Sequence, residues 1–372
     1  MLNLVTPKDK INLLGIVILA LIIGGLGLKF LPDFPIPSDT QEYDAVARNL
    51  TQPTPEPIGY PLFLAGIYYV FGYDWQIVRL IQYLLSAGIG IILYLIARKF
   101  FNFSPSLAFL SSLNFLFWPY FIVYPIFIGS EILFIFFLLL AIYSLLAFRE
   151  TPSSKNILFL GICLGIAALI RPVAFILPFW IVLFLLICFK SFRQKEYLLK
   201  LILVLVVFLT IFSPWTIKNY VYFGSFFPAY VPAFQKSFVK LDYTPGSEPL
   251  KPGEADFKTL ILSKLKNIYL FWNPGAKGLN AQVLQENFPI MKVLFKLYWI
   301  GYFLVLGLAF WSLKWIRKNK NILLLWLIIF YTWTLHTLLW PYPRYTLPII
   351  PLVIILAWFS LRKTAYQIGE KT

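Results

Sequence analysis

Three carboxylates, Asp39, Glu42 and Asp44, fall within six residues of the stretch SDTQEYDAVARNL, directly after a long apolar run. A carboxylate held beside an apolar wall has a raised pKa and can take a proton from a hydroxyl near neutrality. The same stretch suits a helix start, with Ser38 or Asp39 as the cap and Glu42 facing the helix dipole, and spacing alone leaves both readings open. Glu131, in FIGSEILFIFF, stands at the end of another apolar run. An ionisable group inside a span costs about 2.5 to 3.5 kcal/mol and is functional by default, although a dipole partner at a helix N-terminus has the same sequence signature. Three cations complement these acids: Arg171 in ALIRPVAF, Lys218 beside Asn219 in SPWTIKNY, and Arg344 in WPYPRYTLP. Arginine grips phosphate oxygens in pairs and lysine supplies a point charge, so the set favours an anionic ligand over snorkelling alone.

The elements that must position these residues are helices in a membrane. Of 372 residues 60% are hydrophobic and only 13% charged, against roughly 25% charged in soluble domains. Apolar runs near 11–31, 75–97, 104–119, 125–148, 156–170, 173–189, 198–214, 292–313, 321–339 and 345–361 predict an all-α polytopic membrane protein with about ten transmembrane helices. The stretch 156–189 reads as two spans, or as one broken at Arg171-Pro172. Lys8 and Lys10 before the first run, with no small-residue cleavage site after it, read as an uncleaved signal anchor.

Orientation follows from the short loops. With the N-terminus inside, Arg98, Lys99, Arg149, Lys155, Lys190 to Lys200, Lys314 to Lys320, Arg362 and Lys363 are cytoplasmic. Asp33, Asp39, Glu42, Asp44, Glu56, Asp74 and the acidic group from Asp242 to Asp256 are then outside. The net charge of +16 is thereby a topology signal, and nucleic acid is not an expected partner. The chain reads as one membrane domain over 1–372 with two long outer segments, 32–74 and 215–291, and long loops usually carry function. YPLFLAGIYYVFG, Tyr60 to Gly72, is too short to span and predicts an interfacial helix. The second segment is rich in Trp215, Tyr220, Tyr222, Tyr230, Tyr243, Tyr269 and Trp272, which individually are belt residues. His336 has no metal-ligand companion and reads as structural or as a polar contact. Cys163 and Cys188 lie in apolar runs and imply no disulfide framework. No Gly-rich phosphate loop or Ser-His-Asp set is present.

Taken in order, SDTQEYDAVARNL, IGYPLFLAGIYYVFG, VRLIQYLLSAGIGIILYLIARKFF, GICLGIAALIRPVAF, SPWTIKNYVYFGSFFP and YPRYTLPIIPL resemble membrane glycosyltransferases of the GT-C superfold, in the branch of the protein O-mannosyltransferases and aminoarabinose transferases. The resemblance runs from about 12 to 360 and implies a GT-C-like fold with interfacial helices in the first outer loop. It implies transfer of a sugar from a polyprenyl-phosphate carrier to a lipid, glycan or protein acceptor at the outer face of the cell (inner) membrane, both termini being cytoplasmic. Asp39 matches the acidic residue of the family's first loop. The family often has an acidic pair there, whereas Thr40 follows Asp39 here, so Glu42 or Glu131 would serve as the second acid. Arg171, Lys218 and Arg344 are assigned to the carrier phosphate by charge and location, with Tyr43, Tyr60, Asn219 and Tyr345 as further substrate contacts. Sugar transfer passes through an oxocarbenium-like state with charge growing on the leaving phosphate, so a base on one side and cations on the other favour inversion. No cofactor is implied, though two nearby acids are compatible with a divalent cation. A transporter or flippase of an anionic lipid, or a polymerase or ligase using a diphosphate-linked donor, is the alternative.

Overall fold

The computed structural model describes residues 6–31, 38–51, 54, 57–226, 257–273, 290–339 and 343–369. Asp33, Glu56, Tyr230, Tyr243 and the acidic group from Asp242 to Asp256, singled out above, lie outside the described residues, as does the side chain of Ser38.

Fourteen α-helices are described: α1 Pro7–Phe30, α2 Ser38–Arg48, α3 Gly59–Phe71, α4 Trp75–Phe101, α5 Pro105–Leu116, α6 Pro119–Val123, α7 Glu131–Glu150, α8 Ser154–Ile170, α9 Leu177–Cys188, α10 Lys195–Phe223, α11 Phe257–Trp272, α12 Ile290–Trp311, α13 Lys320–Leu338 and α14 Ile350–Gly369. Their starts are written locally. Thr6 and Asp9 form a capping box with Pro7 in the first turn of α1, and Asp74, Ser104 and Ser153 accept backbone N–H bonds at the starts of α4, α5 and α8. Asn102 and Gly224 end α4 and α10 in the left-handed region, at φ 55° and 65°.

Each predicted apolar run holds a helix, and the count of about ten spans is not confirmed. Among the described residues seven helices are long and apolar enough to cross a membrane, and an eighth appears if α5 and the segment Pro119–Ile126, bent by 65°, are taken together. The shortfall is one of length: α8 has 17 residues and α9 has 12, against the roughly 20 that a straight span needs. Arg171 is extended because a residue preceding proline avoids the helical region. A 3-10 turn, Pro172–Ala174, follows it, so 156–189 is two helices.

α8 and α10 run parallel and in close contact, because a Cβ at Gly161 would lie 2.8 Å from Val207 and one at Gly165 would lie 2.7 Å from Ile211. Small residues let membrane helices approach in this way. α3 abuts the end of α8 similarly, since a Cβ at Gly59 would come within 2.7 Å of the Ile170 backbone nitrogen.

The helix directions sort the charges. Glu131 begins α7 and Arg149 lies in its last turn, and Lys155 lies at the start of α8 with Arg171 just past its end. The basic end is tied around the C-terminus of α4. Asn321 donates to Phe100 O and Arg362 to Phe101 O, serving carbonyls that the helix itself leaves open, and Arg98 donates to Phe103 O just past its end. Buried Asp9 accepts from Arg98 Nε at 2.7 Å, from Thr6 and from the Tyr94 hydroxyl. Removing one partner of a buried pair strands the other, so Asp9→Ala is expected to lower stability by about 3–5 kcal/mol. Thermal unfolding in detergent checks this, with Asp9→Leu combined with Arg98→Leu recovering part of the loss.

Candidate active site

At the other end of the bundle α2 is anchored along one face. Thr40 Oγ1 donates to Ile128 O at 2.8 Å, and the Tyr43 hydroxyl faces Ser130 Oγ at 3.5 Å. Asp44 accepts from Tyr68 OH at 2.8 Å, Trp75 Nε1 at 3.3 Å and Tyr73 OH at 3.4 Å, and it pairs with Arg48 at 2.8 Å. Asp44 is therefore the pin that holds α2 to α3 and to the start of α4. The Tyr68 phenol is raised by burial and by this carboxylate, which keeps it a donor.

With α2 fixed, Asp39 Oδ2 stands 3.3 Å from an Arg344 guanidinium nitrogen. A second acid and cation, Glu131 Oε1 and Arg171, also meet at 3.3 Å. The environments differ: the side chains of Asp39 and Arg344 are 47% and 32% exposed, those of Glu131 and Arg171 only 9% and 14%. One pair is open to an arriving molecule and the other is closed off. Tyr345 links them, its ring centroid lying 5.5 Å from the Arg171 guanidinium and 5.4 Å from that of Arg344, within cation–π range. Tyr43 stands beside this arrangement, and burial pushes its phenol up, with Arg171 and the Ser130 hydrogen bond opposing. It is a hydroxyl donor at neutral pH.

The remaining candidates are placed differently. Tyr60 is fully buried behind Tyr43, at 5.0 Å between ring centroids, and donates to Gln82 Oε1 at 2.9 Å. Gln82 passes the link on to Pro125 O and Phe127 O. Tyr60 thus supports the wall of the site from behind. Lys218 donates to Leu50 O at 3.1 Å, tying α10 to the chain just after α2. Asn219 is buried with its amide nitrogen lacking a hydrogen-bond partner. Glu42 is exposed on α2 and is not brought into either ion pair. Thr40, Ser130 and Gln82 were not singled out from the sequence. Gln82 alone had a signal, as a polar residue within an apolar span.

Among the described residues no three His, Cys, Asp or Glu side chains gather as a metal site. Asp39 and Glu131 each face a guanidinium, so a divalent cation on them would stand against two positive charges. This donor set does not fit a resident metal.

Residues 55–217 match the family model described as dolichyl-phosphate-mannose-protein mannosyltransferase. No curated protein matches the chain significantly. The structure is similar to that of ArnT from Cupriavidus metallidurans bound to undecaprenyl phosphate, with a TM-score of 0.64, 16% identity, and 94% of this chain and 60% of that one covered. It is also similar to the same protein in the apo state, with a TM-score of 0.60, 17% identity, and 96% and 62% covered. The chain spans about three-fifths of the length of these relatives. The matched segment includes Tyr60, Glu131 and Arg171, while Asp39 and Arg344 lie on either side of it. Helix arrangement and sequence pattern agree: the chain has the all-helical fold of ArnT, and over residues 55–217 it matches the pattern of the dolichyl-phosphate-mannose-protein mannosyltransferases.

Proposed function

We propose that the protein transfers a sugar from a polyprenyl-phosphate carrier to a hydroxyl-bearing acceptor at the outer face of the cell membrane, inverting the anomeric carbon. The observation that carries this reading is the arrangement of two acid–arginine pairs about Tyr345. A phosphate needs cations, and an attacking hydroxyl needs a base. In the absence of substrate each satisfies the other. An arriving donor phosphate competes for the guanidinium of Arg344 and releases the Asp39 carboxylate toward the acceptor. Asp39 then accepts the acceptor's proton as its oxygen bonds to the anomeric carbon. The bond from that carbon to the phosphate oxygen breaks on the opposite side, and its electron pair remains on the polyprenyl phosphate, held by Arg344 and Arg171. Glu131 keeps Arg171 aimed, and Tyr43 offers a hydroxyl to the sugar. Lys218 and Asn219 line the adjoining end of α10. Support for the outer face comes from the charge asymmetry, since Arg98, Lys99 and Arg149 lie in the last turns of α4 and α7, at the end opposite the site. The undecaprenyl phosphate in the ArnT structure supports the class of carrier.

The test is a transfer assay with purified protein and a panel of polyprenyl-phosphate sugars, reading acceptor mass, free polyprenyl phosphate and anomeric configuration. Transfer with inversion is expected. Movement of intact lipid-linked sugar across a vesicle membrane without cleavage would replace this reading with transport, and retained configuration would remove the direct role of Asp39.

A further inference from the structure

We infer that His336 is a positioning residue for the two site arginines, acting through Tyr345. The imidazole lies nearly parallel to the Tyr345 ring, with centroids 4.2 Å apart and planes at 16°. Phe271 is nearly parallel to the imidazole as well, at 6.1 Å and 18°. The column begins on α11, which is fastened to the end of α13 by Asn267 Nδ2 donating to Thr337 O at 3.0 Å and Lys264 Nζ to Leu338 O at 2.8 Å. It ends on the tyrosine whose ring attracts both guanidiniums.

The consequence concerns the occupied site. Arg171 and Arg344 are now oriented by Glu131 and Asp39, but a phosphate between the guanidiniums competes with those carboxylates. The aromatic face is a contact that both arginines keep, so the plane of Tyr345 sets their spacing when the anion is bound. His336 fixes that plane. The imidazole borders a small cavity lined also by Phe134, Leu138, Tyr331 and Thr332, while its ring plane is shared with Tyr345.

This inference rests on the two arginines binding the donor phosphate, and the test separates the two claims. Donor KM, kcat and binding of free polyprenyl phosphate are measured for the wild type, H336F, H336L and F271L, with thermal unfolding as the control for folding. H336F, which keeps the stacked ring, is expected to stay within about twofold of wild type, whereas H336L raises donor KM about tenfold or more, since a misplacement of about 1 Å costs up to 10²-fold. F271L, which removes the second ring parallel to the imidazole, shifts KM in the same direction by less and serves if H336L does not fold. Wild-type KM and binding in a folded H336L, or in F271L should H336L not fold, overturns the column alone. H336F as impaired as H336L overturns it too, because the imidazole rather than the stack would then be required. A wild-type protein that neither binds polyprenyl phosphate nor transfers sugar overturns both claims.

Discussion

Asp39→Asn is expected to lower the rate of sugar transfer by about 10²–10⁴-fold, the contribution of a general base, while donor affinity is kept or tightened because the competing carboxylate charge is gone. Asparagine has almost the shape of aspartate and still offers an oxygen to Arg344, 3.3 Å away. α2 remains anchored by Thr40 and Asp44, which do not depend on Asp39. What the substitution removes is the capacity to take a proton. An acceptor whose attacking group is already ionised at the assay pH should therefore recover much of the rate, which a merely structural defect would not allow. Unchanged turnover with a hydroxyl acceptor would take Asp39 out of the mechanism. Glu42→Gln is the matched control on the same helix. Its side chain is exposed and outside both pairs, so a change of less than about twofold is expected, in line with surface substitutions generally.

The fold was largely legible because apolar runs and their interruptions are local properties. The run 75–97 and the basic pair after it correspond to α4 with Arg98 and Lys99 in its last turn, and Arg171-Pro172 marks the break between α8 and α9. The span count was less legible, since hydropathy registers composition while spanning depends on unbroken length, and α9 has only 12 residues. The acids and cations of the candidate site stand out by type in the sequence, but their pairing does not. Asp39 and Arg344 are 305 positions apart, and nothing local shows that Lys218 reaches the Leu50 carbonyl. On α2, acidic residues three and five positions after Asp39 had equal claims by spacing. The anchoring of Thr40 to Ile128 and of Asp44 to Tyr68 and Trp75 decides which face turns inward. His336 shows the same limit: without a metal partner its type said little, and its meaning lies in a parallel ring nine residues later, at Tyr345.

Arg344→Met should produce the other large loss, about 10²–10³-fold in kcat/KM for the donor, the range for removing one preorganised donor to developing charge. The methionine keeps much of the side-chain length and loses the fork. Arg344→Lys should recover only part of the activity, because an ammonium restores the charge but not a planar group that engages a phosphate and the Tyr345 face together. Arg171→Met is expected to act in the same direction, with a stability cost as well, because its partner Glu131 is almost closed off from solvent and would be left without its cation. The two charged pairs also predict coupling. If phosphate binding at Arg344 is what releases Asp39, Asp39→Asn combined with Arg344→Met will lose much less than the product of the single losses, since each change disables the same step. Strictly multiplicative losses would mean that the two residues act at separate steps. A defect confined to acceptor KM would mean that Arg344 holds the acceptor rather than the leaving phosphate.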